Sequence, residues 1–197
     1  LGVSVSVDYM LEEIAIAEGS LSKKSEFLTK YCNIKQTSSL AWLGSEVIEK
    51  ACGEPLKLED FRGAYCVGGV DLSRTTDLSA AVILIEKGGN IHAFARFWLP
   101  AERIEELQAT DGVPYQIYMQ RGLLYPSGEN IIDFNDVFNW FRELVEKYKI
   151  YPLKVGYDKY SANYLVQQME AYGFHMDDVF QGYNLHPVIQ EVEGYLK

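Results

Sequence analysis

The segment Gly68-Gly69-Val70-Asp71-Leu72-Ser73-Arg74-Thr75-Thr76-Asp77-Leu78-Ser79-Ala80 carries an apolar run to an acid, crosses a short polar turn, and re-enters an apolar run. That pattern predicts two strands joined by a tight reversal, with Asp71 at the lip of the first. Lys154-Val155-Gly156-Tyr157-Asp158 repeats the idea far downstream, as a short apolar strand ending in one aspartate. Two carboxylates on strand ends, distant in sequence, point to a divalent-metal site built on a sheet.

Working outward, Tyr65 to Asp71, Leu78 to Glu86 and Asn90 to Leu99 read as three consecutive strands. Lys87-Gly88-Gly89-Asn90 is a hairpin turn, because glycine accepts positive φ without penalty. Ala101 to Gln108 and Val113 to Arg121 read as helices of an excursion, and Gly122 to Gly128 as a short strand and turn. Asp133 to Lys149 is the strongest helix, with Val137, Phe141, Leu144, Val145 and Tyr148 on one face. The strand to Asp158 follows, then a helix capped by Ser161 and closed by Gly173, a short strand over Asp178 to Gly182, and a last helix over His186 to Lys197. The order β-β-β, excursion, α-β-α-β-α predicts an α/β fold: three antiparallel strands, then parallel ones, with helices on both faces. It matches the ribonuclease H-like fold, where the first and fourth of these strands are central parallel neighbours. Asp71 and Asp158 are then expected side by side.

Residues 1–60 read as a short helical lead-in or linker, and residues 61–197 as the sheet domain. Asp8 to Glu18 carries a helical stripe stopped by Gly19, and Gly53-Glu54-Pro55 breaks the chain before the strands begin. The chain starts at Leu1 without an initiating Met, so a longer polypeptide is expected.

Hydrophobic residues make up 48% of the 197, enough to bury a core and exclude disorder. No run of about 18 apolar residues exists to span a membrane, and no signal peptide pattern opens the chain. Cys32, Cys52 and Cys66 form no Cys-x-x-Cys pair, and His92, His175 and His186 have no ligand spacing, so zinc is not indicated. The net charge of −10 counts against a stand-alone nucleic-acid binder but not against a nuclease, whose metal site needs acids.

Neighbouring carboxylates repel unless a cation neutralises them. Mg²⁺ or Mn²⁺ suits an oxygen-only site. Two such ions about 4 Å apart activate water on one side and stabilise a leaving oxygen on the other, which is phosphodiester hydrolysis. In that reading Asp71 bridges the metals, Asp158 holds one, and Asp77 is a further ligand or a supporting acid. Taken singly, Asp71 also fits a hairpin turn, Asp158 a helix cap, and Asp77 an ordinary turn ending. Arg74, Thr75 and Thr76 read as turn residues rather than phosphate contacts.

Val70-Asp71-Leu72-Ser73 with Thr76-Asp77-Leu78-Ser79-Ala80, then Val155-Gly156-Tyr157-Asp158, resembles the nuclease half of the large terminase subunit of tailed bacteriophages. Ser25-Glu26-Phe27-Leu28-Thr29-Lys30-Tyr31-Cys32-Asn33 with Ala41-Trp42-Leu43 resembles that family's connection between packaging ATPase and nuclease. Gly122-Leu123-Leu124 through Gly128-Glu129-Asn130-Ile131-Ile132-Asp133 adds to the likeness.

The resemblance implies a metal-dependent endonuclease that cuts concatemeric viral DNA in the cytoplasm of a bacterial host. It implies double-stranded DNA, the ATPase half of the same polypeptide, the small terminase subunit and the portal as partners, and no membrane. No Gly-x-x-x-x-Gly-Lys-Ser/Thr loop is present, so the motor is not in these residues. The family also uses a third acid on a helix after the fifth strand. Asp177 and Asp178 come at or before the start of the strand expected here, and Glu191 and Glu193 come too early in their helix. The third ligand is therefore expected beyond Lys197, the domain is expected to lack its C-terminal part, and this fragment is expected to cut DNA poorly.

Two other functions fit parts of the pattern. An actin- or sugar-kinase-like phosphotransferase shares the sheet, but Ser73 stands where its phosphate turn needs glycine. A degenerate ribonuclease H-like module would dock without catalysis and bind no metal.

Overall fold

The computed structural model describes residues 6–18, 21–32, 43–53, 55–73, 77–158 and 163–196. The Gly19 stop, the Arg74–Thr76 turn, Ala41-Trp42 and the Ser161 cap lie outside the described residues. The chain forms two compact units, Leu56–Leu185 and a second built from Leu1–Pro55 with His186–Lys197.

In the larger unit, β1 (Tyr65–Asp71), β2 (Ser79–Lys87) and β3 (Asn90–Pro100) run antiparallel in sequence. Gly88 and Gly89 both take positive φ, 64° and 78°, in the turn that joins β2 to β3. This turn matches the right-handed strand twist. The remaining strands are β4 (Leu124–Ser127), β5 (Tyr151–Tyr157) and β6 (Met176–Asp178). The sheet order is β4-β3-β2-β1-β5-β6, with β4 parallel to β3, β5 to β1, and β6 to β5. The expected partner of β1 is therefore β5, because the excursion adds β4 at the far edge.

Inward residues alternate along β2: Ser79, Ala81, Ile83 and Ile85 are all fully buried. They face α6 (Phe134–Glu143), which continues through a π-helical turn over Leu144–Tyr148. Asp133 caps α6 by accepting the Asn135 N–H at 2.9 Å, which satisfies one of the free amides of the first turn. Val137, Phe141 and Leu144 are fully buried, as their helical spacing requires. Gly68 lets this helix sit directly on β1: a Cβ there would lie 3.0 Å from Phe141 Cε1 and 3.1 Å from Val155 Cγ2. The helix α7 (Asn163–Tyr172) joins the same core through Leu165 and Met169.

Successive strand residues point to opposite faces. Trp98 packs on Trp140 of α6 with ring centroids 6.1 Å apart. Leu99 turns the other way, into a second core with Ile104, Leu107, Tyr115 and Leu124. That core holds α4 (Ile104–Asp111) and α5 (Tyr115–Gln120) against the opposite face. Helices thus cover both faces, and the fold is ribonuclease H-like.

One local expectation changes. The last strand is Met176–Asp178 rather than Asp178 to Gly182, so Asp177 lies within the strand and not before it, and Asp178 ends the strand rather than opening it. Met176 is the buried residue that anchors it, and an edge strand this short tolerates the two exposed acids that follow. Pro152 lies inside β5, next to the register shift at Cys66/Val67 where the ladder is already irregular.

The second unit contains α1 (Val7–Glu18), α2 (Leu21–Cys32), α3 (Ser45–Ala51) and α8 (His186–Leu196). Here α1 meets α2 through the Tyr9 and Tyr31 hydroxyls, 2.8 Å apart.

Candidate functional site

The register of β1 and β5 builds the site. Gly68 pairs with Val155, Gly69 with Gly156, and Val70 with Tyr157. Asp71 is the last residue of β1, and Asp158 follows β5 directly. Both aspartates therefore leave the same end of adjacent parallel strands at the sheet centre. On its other side Asp71 pairs with Ala80 of β2. Val70 is buried toward α6, so the pleat turns Asp71 to the opposite face, where it is exposed. Asp158 is half-buried.

Asp77 stands two residues before β2 and is exposed; its backbone N–H donates to Ser73 Oγ at 3.2 Å. The excursion borders this turn. Tyr115, buried in the second core, donates its hydroxyl to Asp111 Oδ2 at 2.8 Å. Burial first, then the Asp111 bond and the charges of Asp111 and Asp77, push the Tyr115 hydroxyl up to about 12. Asp77 is thus within electrostatic reach of the α4–α5 core.

Of the acids on β6, Asp177 pairs with Lys154 Nζ at 3.0 Å. Asp178 is the register partner of Tyr157 and is exposed. It stands on the strand next to Asp158, a placement that a strand beginning at Asp178 would not give. Glu191 and Glu193 lie on α8, in the other unit. Among the described residues, no three His, Cys, Asp or Glu side chains form a group able to hold a metal ion. A pair of carboxylates at the ends of β1 and β5 would suit a hard divalent cation that keeps water or phosphate oxygens in its other positions.

Sequence reasoning passed over Ser73 and Ser79. The available signal was a hydroxyl at the first inward position of Ser79-Ala81-Ile83-Ile85, where a polar residue needs a reason.

A family model described as "Terminase large subunit, endonuclease domain" matches residues 1–196. The chain belongs to this family. It is 24% identical to the large terminase subunit of Enterobacteria phage HK97 over 166 residues, covering 82% of this chain and 32% of that protein. It is 22% identical to Protein YmfN of Escherichia coli (strain K12), covering all of this chain and 45% of that one. The crystal structure of the HK97 large terminase superposes with a TM-score of 0.67 at 23% identity, covering all of this chain and 40% of that chain. That likeness shows the shared fold. This terminase nuclease domain spans less than half the length of each relative. No helix among its described residues is long and apolar enough to cross a membrane.

Proposed function

We propose that the chain is a divalent-metal-dependent endodeoxyribonuclease that cuts concatemeric viral DNA during packaging in the bacterial host cytoplasm. One observation carries this reading: the β1–β5 register that sets Asp71 and Asp158 on adjacent strand ends. Both would hold Mg²⁺ or Mn²⁺, and Asp77, tied to the same turn, would serve as a further ligand or supporting acid. When bound, a pair of such ions supplies an activated water and charge stabilisation at the phosphodiester. The protein's share is placement. Asp71 ends β1 and Asp158 directly follows β5, and the two strands are anchored in the core by the buried Val70 and Val155. The net charge of −10 assigns most phosphate contact to partners, since basic residues supply most non-specific affinity for DNA. Those partners would be the ATPase half of the polypeptide, the small terminase subunit and the portal. The phosphotransferase alternative loses its ground with the family membership.

Crystals soaked in Mn²⁺ test the reading. Anomalous density is expected within coordination distance of Asp71 and Asp158. Its absence at both would leave a non-catalytic docking module as the better description.

A further inference from the structure

Ser79 opens β2 in an inward register whose other members, Ala81, Ile83 and Ile85, are apolar, and all four are fully buried. A hydroxyl buried there gives up water and needs partners in the protein. It finds both on one residue. Ser79 Oγ donates to the Ser73 carbonyl at 2.8 Å and accepts the Ser73 N–H at 3.0 Å. The Ser73 hydroxyl in turn accepts the Asp77 N–H at 3.2 Å. One buried side chain thus grips both backbone groups of the residue two after Asp71. That residue grips the backbone of Asp77. The two ends of the turn are fixed to the core side of β2, although the acids themselves are exposed.

An apolar residue at position 79 would bury more hydrophobic surface and leave the turn untied. The geometry points to Ser79, acting through Ser73, as a positioning residue that fixes Asp71 and Asp77 for one shared cation. This inference rests on the metal reading above. Groups that orient ligands in this way typically change metal affinity tenfold or more when removed, because the ligands must then be ordered by the ion itself.

The test is Mn²⁺ titration calorimetry on the chain, with amide hydrogen exchange of the metal-free protein. Ser79→Ala and Ser73→Ala are expected to weaken Mn²⁺ binding about tenfold. Exchange should rise at the Ser73 amide in Ser79→Ala, and at the Asp77 amide in both. Ser127→Ala is the control. Ser127 is equally buried, accepts the Asp133 N–H at 3.0 Å and donates to Asp136 Oδ2 at 2.6 Å, away from the β1–β2 turn. It should lower the melting temperature while keeping Mn²⁺ affinity. Should Ser79→Ala fail to fold, Ser73→Ala decides, since Ser73 is only half-buried. Affinity within twofold of the parent in Ser79→Ala and Ser73→Ala, with Asp71→Asn losing binding, overturns the inference and leaves the metal site standing. Equal weakening by Ser127→Ala overturns it too, as general loosening. Parent-like binding by Asp71→Asn would reject the metal reading itself.

Discussion

Val70 and Tyr157 face each other across adjacent parallel strands, and each is followed by an aspartate. Strand pairing this close to the sheet centre is set by the core beneath it. Val70 is buried, Val155 is fully buried, and Phe141 packs on both strands through the space that Gly68 leaves. Asp71 and Asp158 therefore owe their placement on adjacent strand ends to the packing of α6 beneath β1 and β5.

Asp71→Asn should abolish Mn²⁺-dependent plasmid cleavage by the polypeptide that carries these residues, with Asp158→Asn behaving alike. Losing one carboxylate from the pair removes charge that holds the ion and steadies the transition state. The expected loss is on the order of several kcal/mol, or a hundredfold or more in rate. Asp71 is exposed, so the fold should change by no more than about 0.5 kcal/mol in urea unfolding. Cleavage at the parent rate by either variant would remove both residues from the site.

Gly68→Ala should destabilise the larger unit by about 1–3 kcal/mol, the usual cost of overfilling a packed core. The new Cβ meets the fully buried Phe141 and Val155, which have little room to withdraw. Any relief that parts β1 from β5 also moves Asp71 from Asp158, so Mn²⁺ affinity should fall with stability. Denaturant unfolding and metal titration of one preparation read both effects.

Much of this was legible in the chain. Strands such as Tyr65 to Asp71 declare themselves by an apolar run with a terminal acid, and α6 by Val137, Phe141 and Leu144 at helical spacing. What escaped was set by tertiary context. Met176 alone anchors β6, and one buried residue before two aspartates resembles a turn more than a strand. The Ser79–Ser73–Asp77 bonds depend on which face of β2 is buried. Local pattern shows that alternation, but not its consequence for the turn.

Cys66 should resist thiol reagents that label Cys32 and Cys52. Burial pushes the Cys66 thiol up to about 12, so almost no thiolate exists at pH 8, while the other two cysteines are exposed. Ellman titration of the native chain should show two fast thiols, the third appearing only in denaturant. Three fast thiols would contradict the buried face of β1.

Acid should weaken the α6 edge through Glu143. Burial opposes its charge, but the Lys147 hydrogen bond at 2.9 Å and the Arg96 guanidinium at 3.4 Å prevail and hold the carboxyl below its ordinary value. A depressed folded-state value stabilises above the ordinary carboxylate range, and that contribution disappears as pH falls through it. Glu143→Gln should therefore lower stability at neutral pH by less than about 1 kcal/mol, since the pair is solvent-screened. The difference from the parent should begin to shrink at about pH 4, where the unfolded carboxyl protonates, and close as pH falls through the lower folded-state value. Melting curves from pH 3 to 7 test the convergence.

Metal should stabilise the fold, and only through the aspartate pair. Without a cation, adjacent carboxylates repel in a chain already at −10, so metal-free Asp71→Asn should melt no lower than the parent. With Mn²⁺ at a hundred times its dissociation constant, binding to the native state alone adds about 2.7 kcal/mol. For a chain of this size that raises the melting temperature by several degrees. Asp71→Asn and Asp158→Asn should lose this increment, while Glu143→Gln, on the opposite face at the α6 edge, should keep it. The order of the parent and Asp71→Asn is then level or reversed without metal, and clear with it. A uniform rise in all variants would mean that Mn²⁺ acts on the general acidity of the surface rather than at the β1 and β5 strand ends.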